Sequence, residues 1–170
     1  KRREAAINLE EFIDKEFSPL KLLNAKFRVD IAQKDKNNWS ENGADIIKFL
    51  VKMNQGGKEG ELHKVSSGGE LSRLMLALNL VLSNNIIKKT VIFDEVDSGI
   101  SGEVAEAVGN RLKTLSASQQ VLVVTHLPQV ASKASQHFRS YKLTEDENTF
   151  TKLEELDSKS RIKEIASMIS

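Results

Sequence analysis

The sequence predicts an α/β fold built on a parallel sheet of βαβ units. Short apolar runs at 90–94 and 120–125 have the length and the valine- and isoleucine-rich composition of strands that are covered on both faces. Helical spacing of apolar residues follows each run, at 102–116 and 127–135. A helix that connects two strands of one sheet implies that those strands are parallel.

The first residues predict an amphipathic helix. Leu9, Ile13 and Phe17 recur four residues apart among lysines, arginines and glutamates. A solvated surface helix and the end of a coiled coil both fit this pattern, because two heptads do not separate them. The charged helical pattern is already under way at Lys1, where there is no methionine, so we expect the chain to be part of something longer.

The next segment predicts two strands and a helix. Alternating apolar residues at 27–31 and 47–53 indicate strands of a β-meander completed by parts outside the chain, and 34–44 between them has the composition of a turn region. The glycine-rich stretch 55–61 indicates a flexible loop. Leucines at helical spacing over 70–86 then predict a helix.

The C-terminal part predicts a hairpin and a last helix. Strands near 137–143 and 149–154 flank a polar turn at 145–148. The final helix is expected over 158–169, with three isoleucines on one face.

The composition excludes several classes of protein. Of the 170 residues, 39% are apolar and 29% are charged, as in an ordinary globular protein. The 25 basic and 24 acidic side chains nearly cancel, so no global field favours nucleic acid or a membrane. The absence of cysteine excludes disulfides and thiolate metal sites and is compatible with a reducing cytosol. No apolar run approaches the ~20 residues of a membrane span, and three scattered histidines argue against a zinc site.

A serine–glycine element precedes the 70–86 helix, with Ser66, Ser67, Gly68, Gly69 and Glu70 in a row. It fits an ordinary helix N-cap with its turn. It also fits a cradle for a nucleotide phosphate, because glycines let backbone amides approach an anion and a helix N-terminus carries about half a positive charge. In the second interpretation Ser67 adds a hydroxyl donor.

Two predicted strands end in polar side chains. Asp94 and Glu95 close the first, and His126 follows the second after Thr125. In open α/β sheets, ligands bind outside the carboxyl ends of the strands. A carboxylate there can hold Mg²⁺ through water, and its neighbour can orient or deprotonate a water molecule. A surface acidic pair and a structural histidine are the alternatives. His63 and His137 have no such context and stay unassigned.

Together these segments resemble the C-terminal half of an ABC-type ATPase head. The serine–glycine element stands where that superfamily has its signature motif. Val91–Glu95 resembles its Walker B strand, Val96–Gly102 corresponds to its D-loop, and His126 corresponds to its switch histidine. No Walker A loop ending in Gly-Lys-Ser/Thr is present. Ser-Gly-Gly-Glu-Leu-Ser-Arg, Phe-Asp-Glu-Val-Asp-Ser-Gly-Ile-Ser-Gly and Val-Thr-His-Leu-Pro-Gln-Val-Ala closely resemble an SMC-related family of bacterial DNA-repair ATPases.

Two positions depart from the general pattern of the superfamily. Ser66 replaces the usual apolar or alanine residue that opens the signature. Ser101 stands where most D-loops have aspartate, but this is the form of the DNA-repair family itself. It therefore favours that family over transporters.

The resemblance implies a composite site with ATP and Mg²⁺ as cofactors. Asp94 would support Mg²⁺ through water, Glu95 would be the catalytic base and His126 would contact the γ-phosphate. The signature residues (Ser67, Gly68, Gly69 and Glu70) and Ser101 of the D-loop would face ATP held by a second head.

The resemblance also implies an organisation. Residues 1–18 would be the end of a coiled-coil arm and 19–170 the C-terminal lobe of the head. The expected partners are the protein's own N-terminal ATPase lobe, a second head in a homodimer, and DNA, without a membrane, in the cytoplasm at the nucleoid. Because Walker A is missing, the fragment alone is expected to be inactive.

Two alternatives remain open from the sequence. The chain fits the head lobe of another ABC-class ATPase, either a different SMC-like protein or a transporter nucleotide-binding domain. The second alternative is a non-enzymatic scaffold whose ATP motifs have decayed, although intact Asp94, Glu95 and His126 argue against it.

Overall fold

A computed structural model of the chain describes residues 1–62, 68–83, 89–145 and 148–169. The helices are α1 (Arg2–Phe17), α2 (Gly68–Leu82), α3 (Gly102–Ser116), α4 (Pro128–Ala131) and α5 (Ser158–Ser167). The strands are β1 (Lys26–Gln33), β2 (Asp45–Lys52), β3 (Gly60–Glu61), β4 (Thr90–Phe93), β5 (Gln120–Val123), β6 (Phe138–Glu145) and β7 (Asn148–Glu155). None of the helices within these ranges is long and apolar enough to cross a membrane.

The described strands form three small sheets. β1, β2 and β3 make an antiparallel sheet in that order, β4 and β5 form a parallel pair, and β6 and β7 form a hairpin. β4 and β5 run in register from Thr90 opposite Gln120 to Phe93 opposite Val123. Because α3 connects them, the predicted βαβ unit and the α/β fold class are confirmed.

The structure differs from the sequence prediction at several places. The 55–61 loop prediction is wrong at its end, because Gly60 and Glu61 form β3 against β2. The helix predicted over 127–135 is only the short α4, which begins at Pro128. The last turn of the 70–86 prediction and the tip of the 145–148 turn lie outside the described residues.

The hydrophobic core joins α1, α2 and α3 to one face of the β4–β5 pair. Its fully buried side chains come mainly from the three helices: Ile13, Leu20, Leu74, Leu76, Val96, Val108 and Leu115. Phe93 contributes from β4. The other face of the pair is bare, since Ile92 is 67% exposed, Leu122 47% and Val124 62%. The expectation that these strands are covered on both faces is therefore wrong for this chain.

Helix α1 is tied to the rest of the lobe by polar contacts as well as by apolar packing. Glu10 accepts a hydrogen bond from the backbone N–H of Val29 in β1 at 2.6 Å. Glu16 pairs with Arg111 of α3 at 2.5 Å, and both side chains are only about a quarter exposed. Just after the helix, Lys21 donates to the Gly99 carbonyl at 3.1 Å. These contacts fix α1 relative to β1, to α3 and to the loop that precedes α3.

Gly109 lets α3 and α4 approach each other. A Cβ at this position would lie 2.9 Å from the Gln129 carbonyl oxygen and 3.3 Å from the Val130 Cα. We predict that Gly109→Ala lowers the free energy of unfolding by about 1–3 kcal/mol, because crowding the backbone of α4 outweighs the ~1 kcal/mol that alanine gains in a helix. Thermal or urea unfolding measures this.

The neighbouring residue provides the control for this prediction. Asn110 is exposed on the same helix, so Asn110→Ala should leave stability unchanged or slightly raised. A Gly109→Ala variant as stable as Asn110→Ala would show that the two helices do not pack as closely as described.

Candidate functional site

The predicted site residues of the two parallel strands lie at one edge of the sheet. Asp94 and Glu95 follow β4, and His126 comes shortly after β5. The two strand ends stay paired, since the backbone N–H of Val124 donates to the Phe93 carbonyl at 3.0 Å. This edge is the carboxyl end of both strands, where open α/β sheets bind ligands.

The chain turns sharply after β4. Glu95 has φ = +57°, a left-handed conformation that residues with a Cβ rarely adopt. Its carbonyl accepts a hydrogen bond from the Ser98 backbone N–H at 3.0 Å, which closes the turn. We call residues 94–99 the β4 loop. Asp94 and Glu95 are both exposed in it.

The start of α2 packs directly against the β4 loop. A Cβ at Gly69 would lie 2.9 Å from the Ser98 Cβ and 3.2 Å from the Glu95 carbonyl oxygen, and a Cβ at Gly68 would collide with the Glu95 carboxylate. The contacts at Gly69 are with Cβ and backbone atoms and require glycine, whereas the Glu95 carboxylate near Gly68 is the end of a flexible side chain. The Glu95 carboxylate thus sits in front of the helix N-terminus, where the helix dipole favours negative charge.

Two further residues of α2 hold the backbone of the loop. The Ser72 hydroxyl donates to the Asp94 carbonyl at 2.7 Å. The buried Arg73 guanidinium donates through Nη1 to the carbonyls of Ser98 at 2.8 Å and Val96 at 3.4 Å. Burial lowers the pKa of Arg73 below the ordinary arginine value, and the nearby Glu70 carboxylate opposes that shift. Arg73 was not singled out from the sequence, where it reads as a polar residue of an amphipathic helix.

On its other side, the β4 loop is joined to the end of β5 through Asp97. The Asp97 carboxylate is buried and accepts hydrogen bonds from the Thr125 hydroxyl at 2.5 Å and from the His126 backbone N–H at 3.1 Å. The side chain of His126 remains 74% exposed. Asp97 is a site residue that sequence reasoning missed. Its only signal was an acidic side chain among small residues.

The remaining predicted residues lie around this cluster. Glu70 is half-buried in the first turn of α2. Ser101 is the exposed N-cap of α3, and its side chain makes no capping hydrogen bond. Ser67 lies outside the described residues, as do Ser66 and His63. The described ranges contain no group of three or more potential metal ligands, so Asp94 is not part of a metal cage there.

Comparison with known proteins identifies relatives of the chain. No family model matches the chain. The chain is 44% identical over 170 residues to the DNA repair protein RecN of Rickettsia typhi, covering 100% of this chain and 30% of that protein. The chain is 40% identical over 168 residues to RecN of Haemophilus influenzae, a match that covers 99% of this chain and 30% of that protein. The whole chain is homologous to a segment of the RecN proteins. It spans about 30% of the length of these relatives.

Solved structures show the fold of this chain. It matches the Smc head domain of Pyrococcus yayanosii with a TM-score of 0.61 at 16% identity, covering 99% of this chain and 30% of that one. The Smc head of Pyrococcus furiosus, bound to the C-terminal domain of ScpA, matches with a TM-score of 0.59 at 17% identity. That match covers 99% of this chain and 39% of the other. A third structure, from work on the ATP-driven dimerization of SMC ATPases, matches with a TM-score of 0.53 at 16% identity. That match covers 99% of this chain and 94% of the other. The fold is that of the C-terminal lobe of an ABC-type head, as the resemblance predicted.

The close approach of α2 to the β4 loop gives a testable prediction. Gly69→Ala should lower the free energy of unfolding by about 1–3 kcal/mol, because a methyl group would press on the backbone of the loop. It should also speed hydrogen exchange of the Ser98 amide by weakening its bond to Glu95. Urea unfolding and exchange measured by NMR report the two effects.

Gly60→Ala is the matched control. A Cβ at Gly60 meets nothing within 4 Å. This variant should be as stable as the unaltered chain and leave Ser98 exchange unchanged. If both alanine variants behave alike, α2 does not press on the β4 loop.

Proposed function

We propose that this chain is the C-terminal lobe of a RecN-like ATPase head that acts in DNA double-strand-break repair and recombination through ATP-dependent head dimerisation and hydrolysis. The observation that carries the proposal is the meeting of three segments at one place. The β4 loop carries Asp94 and Glu95, and both the glycines of α2 and the Thr125–His126 segment adjoin it. The names of the relatives support the biological role.

The donors at this edge suit Mg²⁺ in the way that nucleotide enzymes hold it. Mg²⁺ keeps several waters and binds through one or two carboxylates together with substrate phosphates, so it does not need a protein cage. Asp94, exposed at the end of β4 with its backbone fixed by Ser72, is the proposed carboxylate. Bound Mg²⁺ would neutralise charge on the phosphates of ATP.

Glu95 and His126 are the proposed catalytic pair. Glu95 would accept a proton from the attacking water, and the turn at its left-handed backbone directs its side chain out of the strand. His126 would donate from its exposed imidazole to the γ-phosphate, stabilising charge that grows during phosphoryl transfer.

The N-terminal end of α2 is the proposed contact with ATP on a second head. Gly68 and Gly69 leave this end without a Cβ, and the first amides of a helix have no partner within it. In the structure the Glu95 carboxylate occupies the front of this helix end. A phosphate would have to replace it. Ser67, Glu70 and Ser101 complete the proposed surface for the second head.

The bare face of the β4–β5 pair is the proposed seat of the N-terminal ATPase lobe. Ile92, Leu122 and Val124 form an apolar strip there, and such a strip on a short sheet marks an interface. The curated relatives are more than three times as long as the chain, which leaves room for that lobe and for the arm that would continue α1. DNA is proposed as a partner of the whole protein, acting in the cytoplasm at the nucleoid.

A chimera tests this function. The matched segment of the Rickettsia typhi protein is replaced by this chain, and ATP hydrolysis is measured beside that of the chain alone. We expect turnover by the chimera and none by the chain. Glu95→Gln in the chimera should lower kcat by about 100-fold or more, because a general base is lost, while ATP binding persists.

Glu41→Gln serves as the control, because Glu41 is exposed and far along the chain from the site. It should hydrolyse ATP at the unaltered rate. Turnover undiminished by Glu95→Gln would disprove the role of Glu95. A chimera that folds and binds ATP without any turnover would instead point to a non-enzymatic scaffold.

A further inference from the structure

Asp97 is the one carboxylate among the buried polar side chains of the described residues, with 2% of its surface exposed. Burying a charged carboxylate is unfavourable unless hydrogen bonds compensate for the lost water. Both of its hydrogen bonds come from the end of β5, 28 and 29 residues further along the chain. These bonds from Thr125 and His126 compensate for the burial of the Asp97 carboxylate.

The contacts of Asp97 converge on a single oxygen. Oδ2 accepts from the Thr125 hydroxyl and from the His126 backbone N–H, and the Nδ1 atom of His126 lies 3.3 Å from the same oxygen. The Thr125 hydroxyl in turn accepts from the Leu127 backbone N–H at 3.1 Å. A hydroxyl that donates to a carboxylate and accepts from an amide has its hydrogen direction fixed. Thr125 therefore fixes where Oδ2 lies relative to the imidazole.

The imidazole of His126 is otherwise exposed, so ordinary rotamer freedom would let either ring nitrogen face outward. A neutral imidazole has one N–H donor and one acceptor nitrogen, and the partner of one nitrogen decides the state of the other. A carboxylate only accepts, so its negative charge 3.3 Å from Nδ1 favours the hydrogen on that nitrogen.

We infer that Asp97 is a positioning residue for His126. Its carboxylate holds the backbone of His126 and lies beside Nδ1, which favours a hydrogen on Nδ1 and leaves Nε2 on the far side of the ring as the atom that meets a ligand. Resting on the proposed function, that ligand is the γ-phosphate. The same carboxylate links the β4 loop, which bears the proposed metal and base residues, to His126, which follows β5. A shift of the loop therefore moves the ring.

The tautomer of His126 tests this without nucleotide. The chain has three histidines, so ¹⁵N NMR of their side chains is simple to assign with His126→Gln as reference. At pH about 9, above the ordinary imidazole range, we expect His126 in the unaltered chain to carry its hydrogen on Nδ1. Free histidine favours Nε2–H. A dominant Nε2–H form in the unaltered chain overturns the inference, with no variant needed.

Variants separate positioning from simple structural support. Asp97→Asn should shift His126 to the Nε2–H form, because the amide can donate to Nδ1. Thr125→Val removes a bond to the same oxygen but keeps the carboxylate, so Nδ1–H should remain even if stability falls. Asp35→Asn, at an exposed aspartate without a side-chain capping bond, is the control and should change nothing. If Asp97→Asn and Thr125→Val both reduce stability and neither alters the tautomer, Asp97 only supports the fold.

Hydrolysis by the chimera distinguishes this inference from the proposed function. Asp97→Asn there should lower kcat by about 10–100-fold with little change in KM, as is usual when a residue that orients a functional histidine is lost. A tautomer shift with unchanged kcat leaves the positioning established and removes the proposed role of His126. An unchanged tautomer overturns the positioning whatever the rate.

Discussion

The arrangement of the candidate site depends on how the β4 loop is held. On one side, the buried Arg73 guanidinium donates to the carbonyls of Val96 and Ser98, and on the other Asp97 accepts from the end of β5. Hydrogen bonds to charged groups contribute about 1.5–3 kcal/mol each, and breaking them would leave buried charges without partners. The loop can therefore keep the left-handed backbone at Glu95, which would otherwise relax.

This constraint explains why helix, loop and histidine form one unit. Gly68 and Gly69 permit α2 to touch the loop, and Arg73, one turn further along the helix, secures it. The loop then carries Asp97 to the neighbouring strand. Local strain of this kind is found where the surrounding structure over-determines a conformation, commonly at functional sites. Here it sets the direction of the Glu95 side chain.

The sequence predicted those parts of the fold that follow from local pattern. α3 has the predicted bounds, because its apolar spacing is regular and Ser101 and Gly102 mark its start. The end of β5 was not predictable: Thr125 has strand-forming character, but the tertiary bonds to Asp97 turn the chain away after Val123. The pairing of Gly60 with Val51 was missed because β3 is too short to show alternation.

The same contrast holds for the site. Motif spacing located Asp94, Glu95 and His126 at one edge, since parallel strands bring their carboxyl ends together. The roles of Arg73 and Asp97 were invisible, because each depends on burial and on partners more than twenty residues away. Sequence pattern finds groups that face a ligand more readily than the groups that hold them in place.

The bare face of β4 and β5 also governs how this chain behaves in concentrated solution. Within the described ranges the two strands pair only with each other, so their outer backbone edges adjoin an apolar strip of Ile92, Leu122 and Val124. Short sheets with an open edge and an apolar face are templates for association between copies. Thermal stability resides in the core on the opposite face. These three side chains lie outside the hydrophobic core, so polar substitution there should reduce association between copies while leaving the core contacts intact.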